Sequence, residues 1–447
     1  MTILSFDDAS GRLLAQVQAV TETESVPTGA ARGRILANSL VASLNVPPLD
    51  NSAMDGYAVR CIDVPALGTR LPISQRIAAG NVGQALALQT AARIFTGAPI
   101  PAGADAVVMQ ELCTQDGDAV IVNAVAKPGQ AIRRCGEDIA TGAEVIAAGT
   151  RLTAAHLGLA ASVGAAELCV FRPLRVALFS TGNELTMPGE LLKPGGIYNS
   201  NRTMLHALLE GLGCVVADMG IVSDSLDATR AALRAAAQEN DLILTSGGVS
   251  VGEEDHVKAA VSAEGVLDLW KIAIKPGKPF AFGWVNRSAK KVGAGETPRS
   301  FESLNPFLGD RRECLNPLLG RAVSGQSAFR PEREHGKTQF IGLPGNPVAS
   351  FVTFLMLVRP FILAMQGASC VTPRVLHLRA DFAWKGDARR EFLRARINDQ
   401  GGLSLYPQQG SAVLTSCAWA DGLIDNLPGQ AIEPGDIVRF IDFNALG

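Results

Sequence analysis

Between Arg175 and Met365 the apolar residues fall in short dense runs separated by longer amphipathic stretches. Val176–Phe179 is too short for a helix and reads as a buried strand. Asn201 then stands as a helix cap ahead of Met204, Leu205, Leu208, Leu209 and Leu212, which form one helical face ending at Gly213. Further strands are predicted at 214–219, 242–244, 267–273, 280–284 and 339–343, with an Ala-rich helix over 225–240. This alternation predicts an α/β unit with a doubly wound, mostly parallel sheet, in which ligands bind outside the carboxyl ends of the strands. The polar loops Thr181–Glu184, Asp224, Ser246–Asp255 and Pro344–Pro347 should therefore share one edge. In the last of them Asn346 is the expected N-cap and Pro347 the first helical residue.

The flanks have a different texture. Residues 1–45 read as mainly helical, with Leu13, Leu14 and Val17 on one face and another turn around Arg34-Ile35-Leu36, until Pro47-Pro48. Short strands and Gly/Pro turns follow to about residue 137, including the hairpin signal Asp116-Gly117-Asp118. A helical segment returns over 154–163, so the two pieces flanking the β-domain are expected to pack as one extended domain. After Gly367, strands recur at 375–378, 392–397, 403–406 and 437–440, suggesting a small barrel-like β-domain. The stretch 285–337 is rich in Arg, Gly, Ser, Glu and Pro without periodicity and reads as a mobile loop. The expected division is 1–50 with 138–172, 51–137, 173–367 and 368–447.

Length agrees, since 447 residues exceed one ordinary core. A formal net charge of −3 without a Lys/Arg run argues against binding nucleic acid through bulk charge. The early acidic residues do not make a signal peptide. Val348–Met365, which contains Thr353, Arg359 and Pro360, reads as a core helix and not a membrane span. Eight scattered cysteines without a C-x-x-C point to the reducing cytoplasm.

Chemistry concentrates in 241–283. An apolar strand breaks into Ser246-Gly247-Gly248-Val249-Ser250-Val251-Gly252, followed by Glu253, Glu254 and Asp255, and then by Lys271, Lys275 and Lys278 around Pro276-Gly277. Glycines let backbone N–H groups approach an anion, serines add donors, lysines add charge, and a carboxylate can hold a metal. Together they describe a site for a phosphate-bearing ligand. Two other stretches leave alternatives open. Asp50-Asn51-Ser52-Ala53-Met54-Asp55-Gly56 is either a capped turn into a strand or part of a site. Arg133, Arg134, Glu137 and Asp138 are either a solvated ion-pair cluster or face an anion.

Seven segments, in order, carry a resemblance: PLDNSAMDGYAVR (48–60), FTGAPIPAGADAVVMQE (95–111), IRRCGED (132–138), ALFSTGNEL (177–185), SGGVSVGEEDH (246–256), WKIAIKPGKPFAFG (270–283) and LPGNPVASF (343–351). They span most of the chain, and it resembles the molybdopterin molybdenumtransferases, the MoeA family, to which the gephyrin E-domain is also similar. The resemblance implies the last step of molybdenum cofactor synthesis, in which molybdate is inserted into adenylylated molybdopterin and AMP is released. It implies a cytoplasmic homodimer of four-domain chains: an elongated helical domain, an inserted β-domain, a central α/β domain and a C-terminal β-barrel. The cleft would lie between the central domain of one subunit and the inserted domain of the other. Implied partners are the molybdopterin adenylyltransferase and molybdoenzyme chaperones, with no nucleic acid and no membrane.

Carried over residue by residue, the resemblance assigns Asp55, Glu184, Asp224, Asp255, Lys271 and Lys275 to catalysis. Substrate would be held by Thr96, Arg133, Asp138, Thr181, Ser246, Gly247, Gly248, Ser250, Lys278, Pro344, Gly345, Asn346, Pro347, Arg394 and Ser411. Glu184 and Asp255 would hold Mg²⁺. Asp55 and Thr96 would reach in from the partner subunit. Asn199, His256 and Cys135 depart from residues common in relatives, and 285–337 is longer than usual. Two other readings are an adenylyltransferase, whose stand-alone forms lack the large flanking domains and the DNSAMDG motif, and a gephyrin-like scaffold, for which no partner motif is present.

Overall fold

A computed structural model describes residues 3–248, 256–287 and 336–446. Its centre is a seven-stranded sheet in the order Ile3–Leu4, Gly265–Ile272, Pro279–Asn286, Lys337–Leu343, Leu242–Ser246, Arg175–Thr181, Val215–Val222. Among the described strands of this sheet only Pro279–Asn286 runs against the rest. The inner strands are apolar runs because both faces are covered. Val176, Leu178, Leu242, Leu244, Ile341 and Leu343 face the helices Ser200–Gly211 and Pro347–Met365. Ala177, Phe179, Ile243 and Phe340 face Leu226–Glu239 and His256–Glu264.

Pro347–Met365 is long and apolar enough to cross a membrane, but 89% of it is buried, and it serves as the core helix. Its middle, Phe354–Val358, is a π-turn. Asn201 is not the cap of the helix Ser200–Gly211. Asn199 is, accepting from the Arg202 backbone N–H at 3.1 Å, and the helix starts at Ser200.

The N-terminal reading needs revision. The first helix is confined to Phe6–Ala15, and it packs with Leu4 and Val20 into the central core. Ile3–Leu4 is an edge strand of the central sheet. Beyond it, Thr23–Pro27 is a strand paired with Glu167–Phe171. Ile35 and Leu36 form bridges to Arg151 and Val170 instead of a helical turn. The reason is tertiary: an extended chain there can pair with Val170, which a helix cannot. In this unit the helix Ala154–Ser162 is set among two-stranded ladders, including Leu40–Val41 on Glu144–Ile146.

The inserted domain is a six-stranded sheet, in which Cys113–Asp116 and Ala119–Val122 form the hairpin turning at Gly117, φ +59°. In the C-terminal domain, Arg390–Ile397, Gly422–Asn426, Ile437–Asp442 and Leu376–Arg379 lie side by side. Leu403 bridges Ala380 and also pairs with Ile397, joining the two edges into a barrel-like closure. Ile274–Lys275 leaves the central sheet to pair with Arg390 and Glu391, stitching the lysine turn to this domain.

Asn286 and Lys337 are paired at the end of their strands opposite the Ser246 edge. The insertion between them therefore departs from the far side of the sheet. The mobile-loop reading of 285–337 falls on 288–335, which lie outside the described residues.

Candidate active site

The predicted loops meet at the carboxyl edge of the central strands. Thr181, Glu184, Ser246, Gly247, Gly345, Asn346 and Pro347 line a cleft of ≈ 540 Å³, together with Tyr198, Asn199 and Asn201. Ser180 and Ser246 share a 3.0 Å hydroxyl hydrogen bond beneath it. Gly247 and Gly248 have φ of +87° and +65°, a region costly for residues with a Cβ. A Cβ on Gly247 would stand 2.9 Å from the Thr181 carbonyl oxygen, and one on Gly248 would stand 2.8 Å from Thr181 Oγ1. The loop is thus glycine because it crosses directly over Thr181. Gly182 is constrained similarly: φ is +147°, and a Cβ would lie 2.6 Å from the Glu184 carboxylate.

The other wall is held from two directions. Asn201 donates its side-chain N–H to the Gly345 carbonyl at 2.7 Å. Ser350 donates its hydroxyl to the Pro344 carbonyl. Asn346 occupies the N-cap position ahead of Pro347, but its side chain makes no capping bond. It donates to Ser411 Oγ at 3.3 Å, and the Ser411 carbonyl accepts the Val348 N–H at 3.0 Å. Part of the donor set at this helix start is therefore already satisfied by the C-terminal domain, which backs the wall through Ser411 without lining the cleft.

Arg394 is not at the surface of the cleft. It is fully buried, donating Nε to Ser416 Oγ, Nη1 to the Phe392 carbonyl and Nη2 to the Gly410 carbonyl. Burial lowers its pKa to about 10. Its position beneath Gly410 makes it a positioning residue for the Ser411 loop.

Lys271 is the penultimate residue of its strand and Lys278 immediately precedes the returning strand, both at the sheet edge that carries the cleft, though neither lines it. Lys275 turns the other way. Its ammonium lies 3.1 Å from Glu391 Oε1 and 3.3 Å from Asp387 Oδ2, near the Trp384 ring. Glu391 is fully buried and also accepts from Trp384 Nε1 at 2.7 Å. Asp387 is held below the usual carboxylate range chiefly by hydrogen bonds from the Arg389 side chain and backbone, with Lys275 adding to them. Nothing local in sequence marked Asp387 and Glu391, because they are more than a hundred residues from Lys275.

Asp224 lies just past Val215–Val222 on the same edge, half-buried, and outside the cleft lining. Ser250 and Asp255 lie outside the described residues. No cluster of three or more His, Cys, Asp or Glu that could hold a metal occurs among the described residues. Glu184 presents an exposed carboxylate in the cleft, one oxygen donor of the kind that Mg²⁺ takes.

The remaining predicted residues lie in the inserted domain or, for Asp138, directly after it. Asp55 Oδ1 accepts both the backbone N–H and the hydroxyl of Thr96, each at 2.8 Å. These bonds lower the Asp55 pKa. Asp50 is lowered too, by the Cys135 backbone N–H and then by Arg134 at 2.6 Å. The ion pair in this cluster is thus Arg134 with Asp50, which stands in the stretch that reads from sequence as either a capped turn or part of a site. Arg133 and Asp138 are exposed.

Fold and site define a multidomain α/β protein that gathers anion-binding groups at one sheet edge and braces one wall of them with its C-terminal domain. Residues 4–164 match the MoeA N-terminal region (domain I and II), 177–364 a probable molybdopterin binding domain, and 377–443 the MoeA C-terminal region (domain IV). A molybdopterin molybdenumtransferase of Haemophilus influenzae is 40% identical over 367 residues, 82% of this chain and 78% of that protein. Molybdopterin molybdenumtransferase 2 of Mycobacterium tuberculosis is 34% identical over 436 residues, 94% and 95% of the two chains. The crystal structure of a molybdopterin biosynthesis MoeA protein from Pyrococcus horikoshii superposes with a TM-score of 0.72 over 99% of both chains, at 26% identity. The chain belongs to the MoeA family of molybdopterin molybdenumtransferases.

Proposed function

We propose that this protein is a molybdopterin molybdenumtransferase, which inserts molybdate into adenylylated molybdopterin and releases AMP. The observation that carries the reading is the cleft itself. Gly247 and Gly248 bring backbone close to Thr181, and Gly345, Asn346 and Pro347 form the opposite wall, with Asn346 held by Ser411. Lys271 and Lys278 stand on the same edge. A dianionic oxyanion and a phosphate-linked pterin need several donors and positive charges close together.

The protein's own groups divide the work by position. The Gly247–Gly248 backbone and Thr181 hydroxyl orient phosphate oxygens, and Lys271 and Lys278 offset their charge. Arg394 keeps the Ser411 loop against Asn346. Glu184, with Asp255, would hold Mg²⁺, which supplies charge neutralisation across the bridging phosphates when bound. The active form is a homodimer in which the Asp55–Thr96 corner of one subunit faces the cleft of the other. Support for this comes from the corner's exposure and from its bonding, which is closed within the inserted domain.

The test is AMP release from adenylylated molybdopterin in the presence of molybdate, followed by reactivation of a cofactor-free molybdoenzyme. AMP release coupled to reactivation is expected. ATP-dependent adenylylation of molybdopterin in its place would establish the adenylyltransferase reading.

A further inference from the structure

We propose that the chain carries a second ligand site, away from the cleft, for a small amphiphilic phosphate: its phosphate held by Arg359 and neighbouring arginines, its apolar or aromatic group seated beside the core helix.

Two cavities meet at Arg359. One, of ≈ 650 Å³, lies where the extended domain, the helix Ser200–Gly211 and the core helix come together. Arg32, Arg34, Arg151 and Arg359 line it against a single carboxylate, Glu210, which is engaged with His206 at 3.3 Å. Arg34 is matched by Glu24, which lies outside the lining. The other cavity, of ≈ 180 Å³, is walled by Leu208, Phe351, Phe354, Leu355 and Phe443. Gly211 and Arg359 line both. Apolar cavities of about 150 Å³ accept a benzene ring, so the smaller one matches a single ring.

Arg359 itself is 7% exposed. Its Nε donates to the Leu446 carbonyl at 2.7 Å and Nη1 to the Val371 carbonyl at 3.4 Å. Nη2 has no partner among the described residues, nor is it among the buried polar atoms lacking one, so it opens onto the cavity. A guanidinium is rarely buried against carbonyls alone, because its charge then goes unmatched. Burial and the nearby Arg151 charge depress the Arg359 pKa to about 10. Arg151 beside it already donates Nη2 to the Gly211 carbonyl at 2.9 Å and Nε to the Gly33 carbonyl at 3.4 Å, so a phosphate in the cavity would take its closest bond from Arg359 and supply the missing charge there. The helix is locally adapted at this point: the π-turn Phe354–Val358 ends immediately before Arg359 and places Phe354 and Leu355 in the apolar wall. Such turns recur at functional positions.

Phenyl phosphate and inorganic phosphate are the probes, titrated by calorimetry into the full chain. Phenyl phosphate is expected to bind at least tenfold more tightly than inorganic phosphate, and less tightly as salt rises. A Cβ on Gly211 meets nothing within 4 Å, so Gly211→Phe fills the cavity without straining the helix. Gly211→Phe and Arg359→Met should each abolish the phenyl phosphate preference, and Arg32→Ala, on the exposed rim, should weaken binding several-fold. Gly247→Ala, which disrupts the catalytic cleft, should leave that preference unchanged. Equal affinity for the two probes, or loss of the preference in Gly247→Ala but not in Gly211→Phe, overturns the proposal. It also fails if phenyl phosphate does not bind and Gly211→Phe converts a dimer to a monomer, which would make the cavity a contact surface between copies.

Discussion

Lys275 and Glu391 form an ion pair, Nζ to Oε1 at 3.1 Å, that crosses from the central domain to the C-terminal barrel. Glu391 is fully buried, while about a third of the Lys275 side chain reaches solvent. The pair belongs to the junction that brings the Ser411 loop against Asn346, and so bears on the site without lining it.

Glu391→Gln keeps the shape and removes the charge. We expect it to lower the unfolding free energy by roughly 2 kcal/mol, the usual scale for a hydrogen bond to a charged group. Lys275→Met should cost a similar amount, and the double variant less than the sum, because the two groups act together. Urea unfolding of the four proteins measures the coupling. Strict additivity would mean that the pair contributes nothing.

Gly248→Ala addresses the cradle. Its φ of +65° alone costs a residue with a Cβ about 1–2 kcal/mol. The Cβ would also press on Thr181 Oγ1 and on Val257 Cγ2, 2.3 Å away. The loop should be displaced from Thr181, and AMP release should fall by on the order of a hundredfold, the scale of a misplacement near 1 Å. Circular dichroism should still show a folded chain. Wild-type turnover would remove Gly248 from the site.

How much of this was legible beforehand follows from the range of each interaction. The central strands stand out because burial on both faces leaves uninterrupted apolar runs such as Leu242–Leu244. The turns after them stand out because Gly247, Gly248 and the Asn346-Pro347 pair are local backbone chemistry. Ile35 and Leu36 were misread because their pairing with Arg151 and Val170 comes from across the domain. Asn199 was passed over for Asn201, since either can cap, and only the 2.7 Å bond to Gly345 shows that Asn201 is otherwise occupied. Lys275 read as an anion holder because Glu391 is distant in sequence. Arg394 read as a contact because a charged residue on a strand gives no sign of being buried.

Asp55 gives a pH prediction. Its carboxyl is held below its ordinary value of 3.8, first by the Thr96 backbone N–H and then by the Thr96 hydroxyl. A depressed folded-state pKa contributes stability that is present above the unfolded value and lost as pH falls through the folded one. The contribution should therefore disappear only below pH 3.8. Thr96→Ala removes the hydroxyl donor and leaves the backbone one. The Asp55 carboxyl should then titrate at higher pH, partway back to its ordinary value. Carbon-detected NMR of the side-chain carboxyl follows this directly. Unchanged titration would mean that the hydroxyl bond is not formed in solution.

The proposed sharing of the cleft between two subunits gives the last prediction. Asp55→Asn and Glu184→Gln should each inactivate a homodimer, because every cleft then lacks one of its two acidic groups. If Asp55 serves the partner's cleft, a mixed dimer of the two variants has one doubly altered cleft and one with both native residues. Random assembly makes half the dimers mixed, each with one working cleft, so co-expression should restore about a quarter of wild-type AMP release. If Asp55 served its own subunit's cleft, each cleft in the mixed dimer would carry one substitution and no activity would return. The measurement needs only the two variants, co-expressed and assayed as the unsorted mixture. Recovery of activity is a result that the single-subunit arrangement cannot produce.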